Sequence, residues 1–506
     1  MTTEVELKYL VLNENVSERV FEALNKHGLA FNHQMKHLCN CYFDTVDLAM
    51  RRLDMGLRVR SDNGHLEQTI KTAGIVVGGL HQRPEYNVDI DSHLPTLALF
   101  PENIWPESQD IAELQSQLIP LFTTDFKREI WLVTFESATI ELAFDQGEVT
   151  SQGQSETICE IELELVTGDR SALFAFAALL FASLNVRAGL QSKAARGYRL
   201  FANQPQPLLA PVALDIKSDS ENTNQYFLAG VSHCLQRVQW SIEQYLQSQQ
   251  LASLADVVDS LFLLRHGFWL FNSQLQQESR LIRDELSYFI QLFSWIDNAI
   301  YLQELMSKTG NYRKKLEYSA QLIEQLRLEK RRFPDHQMIT ELLHSDRFNL
   351  LQLNLLRSIV GDETKQNFLI TEQNSDVKAF AKIKLSTSLQ EITQAISTLA
   401  DLDAEQYLAQ RKLLQRSLLT GNWFGYLFSD QERMKFRTPW LDLLQGLREL
   451  KNLWIIKQQL EKVAEPNGKA NEKIISWQQS KVENLLSALS QTKAVVLSMP
   501  SYWLDS

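Results

Sequence analysis

Over its first 200 residues the chain alternates apolar and polar positions with a period of two. The opening MTTEVELKYL sets Val5, Leu7 and Tyr9 on one side and Glu4, Glu6 and Lys8 on the other, as a β-strand requires. The same alternation recurs in GLRVRSD, HLEQTIKT, RPEYNVDI, REIWLVTF, TIELAFD and ICEIELELV. SDNGH (61–65) and DQGE (145–148) read as hairpin turns between strands. Helical spacing predicts short helices over about 16–28, 110–120 and 169–186. The apolar run ALFAFAALLFASLNV (172–186) is too short to span a bilayer and reads as a buried helix.

The pattern then changes. NQPQPLLAPVALDIKSDSENTN, residues 203–224, is rich in Pro, Ser and Asn and predicts a linker. Beyond it, residues 225–506 lack strand alternation and repeat Leu, Gln, Glu and Lys at helical spacing, as in WSIEQYLQSQQLASL. The expectation is an α+β multidomain protein: a β domain over 1–202, a linker over 203–224 and an all-α bundle over 225–506. Two helical blocks, about 225–306 and 314–460, have the lengths of a diverged pair.

At 506 residues the chain exceeds one ordinary core. The net charge of −12 argues against nucleic acid and against an anionic membrane as partners. That charge is concentrated: residues 1–202 hold 28 acidic against 17 basic residues, the remainder 34 against 33. Of four cysteines, Cys39 and Cys41 lack a zinc-ribbon spacing and have only His37 beside them. They read as small buried residues in a reducing compartment rather than as metal ligands. With no signal-like opening, the expected location is cytoplasmic.

The charged strand faces carry the chemistry. Glu4, Glu6 and Lys8 share a face, as do Arg58 and Arg60, then Glu67, Thr69 and Lys71, then Arg83 and Glu85, then Glu141 and Asp145, and finally Glu160, Glu162 and Glu164. A solvated sheet face usually mixes signs, whereas three carboxylates in a row repel and need a reason. A closed barrel supplies one, because its inward faces converge. Gathered carboxylates suit Mg²⁺ or Mn²⁺. Gathered arginines and lysines suit phosphate. Together they describe a pocket for a metal–polyphosphate complex. No P-loop or Rossmann glycine motif follows a strand.

This ordered set resembles the CYTH superfamily, the triphosphate tunnel metalloenzymes. EVELK matches the ExExK signature, and Arg58/Arg60, Lys71, Arg83, Arg128 in DFKREIWLV, Asp145 in FDQGEV, the EIELE run and Lys193 in QSKAARGY follow in order. GGLHQRPEYNV and SKAARGY are similar to the bacterial inorganic triphosphatases, which join a CYTH domain to a C-terminal helical CHAD domain. The resemblance implies an eight-stranded antiparallel tunnel that hydrolyses inorganic triphosphate to pyrophosphate and phosphate with Mg²⁺ or Mn²⁺. It implies metal ligation by Glu4, Glu6, Asp145, Glu160, Glu162 and Glu164, leaving open which EIELE glutamates make contact. It implies phosphate binding by Lys8, Arg58, Arg60, Lys71, Arg83, Arg128 and Lys193, with Glu4, Glu6, Lys8, Lys71 and Lys193 as the catalytic group. No histidine base is needed, and His81 reads as a strand or loop residue.

The helical half departs from CHAD. VVDSLFLLRHGFWLF (257–271) keeps Arg265 and His266 without the repeated arginines of that domain. The basic residues Lys308, Arg313, Lys314, Lys315, Lys330, Arg331 and Arg332 read as a solvated helix face. Polyphosphate is the partner the resemblance implies for this half, and the divergence weighs against it. Other readings are thiamine or nucleoside triphosphate hydrolysis, adenylate cyclisation, or a non-catalytic polyphosphate scaffold. A pure anion binder has no use for so many inward carboxylates. A fragment ending near residue 202 holds every matched position and is expected to be active alone.

Overall fold

The computed structural model describes residues 2–12, 14–62, 64–204, 212–310, 312–360, 369–371, 373–397, 402–463 and 469–504. Residues 205–211, within the expected linker, lie outside that set. The chain divides into two compact units: residues 1–210 with 339–357, and residues 211–338 with 358–506.

The first unit is built on ten strands: β1 (Thr2–Val11), β2 (Ala30–Asp44), β3 (Gly56–Asp62), β4 (His65–Lys71), β5 (Ile75–Val77), β6 (Leu80–Asp89), β7 (Ile119–Phe135), β8 (Ala138–Ser151), β9 (Gln154–Thr167) and β10 (Val186–Ala188). The hydrogen-bonded order β1-β9-β8-β7-β2-β3-β4-β6 returns to β1, so eight antiparallel strands close a barrel. Closure leaves no long edge exposed. The short strands β10 and β5 add to β1 and β6.

Because the lumen is charged, most of the apolar packing lies outside the barrel wall. Leu7 and Tyr9 of β1 point away from Glu6 and Lys8, and Tyr9 meets Phe181 of the buried helix Arg170–Phe181 edge-on, ring centroids 5.1 Å apart. Phe21 of helix Val16–Lys26 likewise meets Trp131 at 5.4 Å. A third cluster gathers Met50, Leu57, Val59, Ile70, Leu97 and Leu114. Helix Lys193–Phe201 packs Tyr198 and Leu200 against Phe122 and Phe126.

One local expectation is corrected. DQGE is not a turn but the interior of β8, where Gly147 stands opposite Phe126. A Cβ there would fall 2.1 Å from the Asp125 carbonyl oxygen, so glycine marks a close backbone approach rather than a reversal. The turn comes later, at Gln152 (φ 49°) and Gly153 (φ 77°), a two-residue hairpin loop with both central residues left-handed. The hydrophobic pattern also does not announce β2. AFNHQMKHLCNCYFD places polar residues on both faces, because one face lines a polar lumen and the other is partly exposed.

The chain returns to the first unit with residues 339–357. Asn349 donates from Nδ2 to the Val186 carbonyl at 2.6 Å and to the Ser345 carbonyl at 2.9 Å. A helical stretch after residue 338 thus caps the start of β10.

The second unit, among its described residues, is helical apart from isolated bridges. It runs from helices Thr223–Ser248 and Leu251–Leu270 to the long helices Asp430–Glu461 and Lys469–Ser498. Leu302, Leu326, Leu453 and Ile456 form one core; Ile392, Trp440, Leu447 and Leu489 form another. The described end of the expected linker is packed. Ile216 is fully buried, and Asp215 pairs with Arg433 at 3.0 Å and Arg437 at 3.4 Å. Pro, Ser and Asn there mark the absence of regular structure, not the absence of contacts.

Candidate active site

The barrel encloses a cavity of about 780 Å³. Its lining includes Glu4, Glu6 and Lys8 of β1, Arg58 and Arg60 of β3, Lys71 of β4, Arg83 of β6, Arg128 of β7, Glu162 and Glu164 of β9, and Lys193. Asp145 and Glu160 lie behind this surface, fully buried. Most of the charged residues singled out on the strand faces therefore line one cavity, with Asp145 and Glu160 behind its wall. Strand alternation explains it for β1, β3 and β9, whose charge-repeating faces are the inward ones.

The lining separates into two electrostatic regions. In one, opposite charges saturate each other. The Lys193 ammonium lies 2.6 Å from Asp145 Oδ2, 2.5 Å from Glu160 Oε1 and 2.9 Å from Glu162 Oε1. Those carboxylates approach closely enough to share a metal ion, but the lysine is the cation they hold. Lys8 adds contacts to Glu160 at 3.0 Å and Glu162 at 2.7 Å. Arg128 grips Asp145 through Nε and Nη2, both at 2.7 Å, and also pairs with Glu162. Arg196 reaches the second oxygen of Glu160 at 2.6 Å. Burial alone would raise the Glu160 carboxyl, but Lys193, Lys8 and Arg196 hold it down to about 2. Burial is likewise overridden at Glu162, which lies well below the carboxylate range.

In the other region charges of one sign are left over. Strand register sets Glu6 opposite Glu164, and Glu164 opposite Glu141. This is a cross-strand row of like charges, which repels. Among the described residues neither Glu6 nor Glu164 has an ion-pair partner within 4.0 Å. Burial, then Glu162 and Glu4, push Glu6 up to about 8. Burial, then Glu4 and Glu141, push Glu164 up to about 7. Both shifts report an acidic row short of positive charge.

The cationic counterpart is Arg58, Arg60 and Arg83. Arg83 Nε and Arg58 Nε are buried without a hydrogen-bond partner, although Arg58 Nη2 reaches Glu85 Oε1 at 3.3 Å. Arg60 makes a neutral contact, donating from Nε to Asn40 Oδ1 at 2.9 Å. Burial, with Arg58 and Arg128 nearby, lowers it to about 10. Buried donors left open are costly, and forked ones suit an anion's oxygens. Lys71 is shared, pairing with Glu4 and lying 3.3 Å from Glu85.

Sequence reasoning missed the contribution of β2. Gln34, Lys36 and Asn40 line the cavity, and only the register of β2 against β3 and β7 places them there. His81 lines the cavity too, with Nε2 3.1 Å from the Gly189 carbonyl. Burial, then Lys8, lower it to about 4, so near neutrality it is an uncharged wall residue.

Residues 2–198 match the model of the CYTH domain. An inorganic triphosphatase of Haemophilus influenzae is 38% identical over 205 residues, which are 40% of this chain and 56% of that protein. The chain thus spans about half the length of the curated relative it matches. Among solved structures, a putative adenylyl cyclase from Hippeastrum, described as having a dominant triphosphatase activity, covers 40% of this chain and 98% of its own, at 16% identity and a TM-score of 0.30. The CHAD domain of Ricinus communis covers 57% of this chain and 98% of its own, at 13% identity and a TM-score of 0.42. No helix among the described residues is long and apolar enough to cross a membrane.

Proposed function

We propose that this chain, whose residues 2–198 form a CYTH domain, hydrolyses inorganic triphosphate to pyrophosphate and phosphate inside the barrel, with a divalent cation. The observation that carries this reading is the coexistence, in one cavity, of open arginine donors and a carboxylate row in which Glu6 and Glu164 have no cationic partner among the described residues. An anion alone would relieve the first and aggravate the second. A cation alone would do the reverse. A metal–triphosphate complex relieves both.

The donor set fits a hard cation, since every member of the row is a carboxylate oxygen. Glu6 and Glu164, with Glu4 and Glu141 beside them, are the residues that would hold it. Glu162 borders them but is neutralised by Lys8, Lys193 and Arg128. Asp145 and Glu160 serve in this reading as the buried base on which Lys193, Lys8 and Arg128 are positioned. When bound, Mg²⁺ or Mn²⁺ would screen triphosphate charge and acidify a water. Arg58, Arg60 and Arg83 bind and orient the phosphate chain, and the lysines meet charge that builds on the leaving group. The water oxygen bonds to a terminal phosphorus as the bridging P–O bond breaks, and pyrophosphate leaves with that electron pair and takes up the proton that the water releases.

The test is phosphate release by the full chain from triphosphate, ATP and thiamine triphosphate, each with Mg²⁺, with Mn²⁺ and with chelator. Metal-dependent turnover highest on triphosphate is expected. Binding of triphosphate without release would instead make the tunnel an anion receptor. The helical unit enters this reading as an accessory.

A further inference from the structure

A second group of donors lies on the outside of the same wall. His37 and Cys39 are two apart on β2 and share its outward face, while Asp125 of β7 stands in register opposite Cys39. His37 Nε2 is 2.6 Å from Asp125 Oδ1. One imidazole nitrogen, the Cys39 sulfur and one Asp125 oxygen all lie within 4.8 Å of one another. All three residues are exposed. The intervening positions, Leu38, Asn40 and Thr124, do not join the triad: Leu38 and Asn40 line the cavity, and Asn40 bonds Thr124.

The chemistry differs from that of the lumen. The tunnel offers carboxylate oxygens, a set for a hard cation; the outer triad offers nitrogen, sulfur and oxygen, a set for a borderline one. Ligands of one tetrahedral zinc ion lie roughly 3.5 Å apart, given bonds of about 2.0–2.3 Å. The observed separations need adjustments of about 1 Å, within reach of exposed rotamers. The His37–Asp125 contact would open, which costs little between exposed groups. Glu148 of β8 holds the register position beyond Asp125 and is exposed, so a fourth ligand is available from it or from water. The Cys39–Cys41 spacing gives no sign of this site, because Asp125 reaches it only through the β2–β7 pairing.

We infer that His37, Cys39 and Asp125 form a surface site for a zinc-class divalent cation, separate from the lumen. It is independent of the triphosphatase reading, since none of the three lines the cavity.

The experiment titrates the reduced, metal-free full chain with Co²⁺ in excess Mg²⁺, which occupies hard oxygen sites. One equivalent should produce a thiolate-to-cobalt charge-transfer band, abolished by stoichiometric Zn²⁺. Cys39→Ser should remove the band, and His37→Ala and Asp125→Asn should each weaken Co²⁺ binding at least about tenfold. Cys41→Ser and Cys159→Ser should leave it intact. Circular dichroism checks that each variant is folded. Absence of a thiolate band at one equivalent overturns the site. So does a band that survives Cys39→Ser or is lost in Cys41→Ser. So does full affinity in both His37→Ala and Asp125→Asn.

Discussion

Arg60 is held by Asn40, not by a carboxylate. Arg60 Nε donates to Asn40 Oδ1 at 2.9 Å, and Asn40 Nδ2 donates to Thr124 Oγ1 at 2.9 Å. Asn40 is 2% exposed, so the amide is fixed at both ends. A neutral clamp orients a guanidinium without cancelling its charge. Arg128, chelated by Asp145, has the opposite treatment. Asn40→Asp should therefore disable Arg60 more than Asn40→Ala does, because a carboxylate competes for the cation that triphosphate needs. The expected losses in kcat/KM are about 100-fold and about tenfold. Steady-state hydrolysis of triphosphate checks this; Asn40→Asp at wild-type efficiency would show that Arg60 does not face the anion.

Glu6→Gln should separate stability from activity. The Glu6 carboxyl is raised from 4.5 to about 8, so between those values the folded metal-free protein binds more protons than the unfolded chain. Stability contributed by this group is full below about pH 4.5 and is lost as pH rises through about 8. Glutamine removes that loss. Metal-free Glu6→Gln should be more stable than wild type at about pH 8, by about 2 kcal/mol or more. Its hydrolysis should fall about 100-fold or more, and Mg²⁺ should stabilise it less than wild type. Thermal melts with and without Mg²⁺, alongside turnover, read both effects. A variant that loses stability at every pH would mean that Glu6 already has a cationic partner.

Lys193→Met should act mainly through folding. Its ammonium is the shared cation of Asp145, Glu160 and Glu162, and removing it leaves like charges buried together. Breaking such an arrangement costs about 3–5 kcal/mol. Urea unfolding measures this. A loss below about 1 kcal/mol would mean that Asp145, Glu160 and Glu162 do not depend on this cation.

How much of this was legible in the sequence depends on which residue is asked. Glu4, Glu6 and Lys8 could be placed on one face, because strand alternation is a local property. The single-sign runs at Arg58/Arg60 and at Glu160/Glu162/Glu164 pointed inward for the same reason. What alternation cannot give is register. Whether Glu160 meets Lys193 or Glu164 meets Glu6 depends on residues far apart in the chain, so satisfied and unsatisfied carboxylates look alike as letters. Asn40 was invisible twice over, being uncharged and on a strand whose polar residues fall on both faces. Gly147 misled, because a glycine flanked by polar residues reads as a turn unless the facing backbone is known. Asp215 and Ile216 were hidden by linker composition.

The segment 339–357 bears on the fragment experiment. Asn349 is 2% exposed and donates to the Val186 carbonyl at 2.6 Å. Strand β10 pairs with β1 at Tyr9, Leu10 and Val11, and Gly189, which follows it, donates to the Lys8 carbonyl at 2.8 Å. A fragment ending near residue 202 loses this cap. It should keep the catalytic set yet melt below the full chain, and lose turnover at a lower temperature. In the full chain, Asn349→Ala should cost about 1–3 kcal/mol, since a buried carbonyl loses its donor. Melting both proteins by circular dichroism and by residual turnover tests the link. A 1–202 fragment matching the full chain in both would make the cap dispensable.

The last prediction concerns acid stability of the helical unit. His266 is 6% exposed, and its Nε2 lies 2.9 Å from Thr420 Oγ1. That hydroxyl donates to the Arg416 carbonyl at 3.2 Å, so it accepts from the imidazole, and the ring is the neutral Nε2–H tautomer. Burial, then Arg416 and Arg265, lower it from 6.5 to about 3. A depressed histidine gives stability that is complete above about pH 6.5 and is lost as pH falls through about 3, because the unfolded chain takes the proton first. By about pH 5 the loss should be about 2 kcal/mol. His266→Gln keeps a donor for Thr420 and cannot titrate. Relative to wild type it should therefore gain about 2 kcal/mol between about pH 7 and pH 5, read from urea unfolding followed by tryptophan fluorescence. Comparing two variants of one protein cancels the titration of every other group. Parallel pH profiles for the two would mean that His266 takes up its proton as readily in the folded state as in the unfolded one.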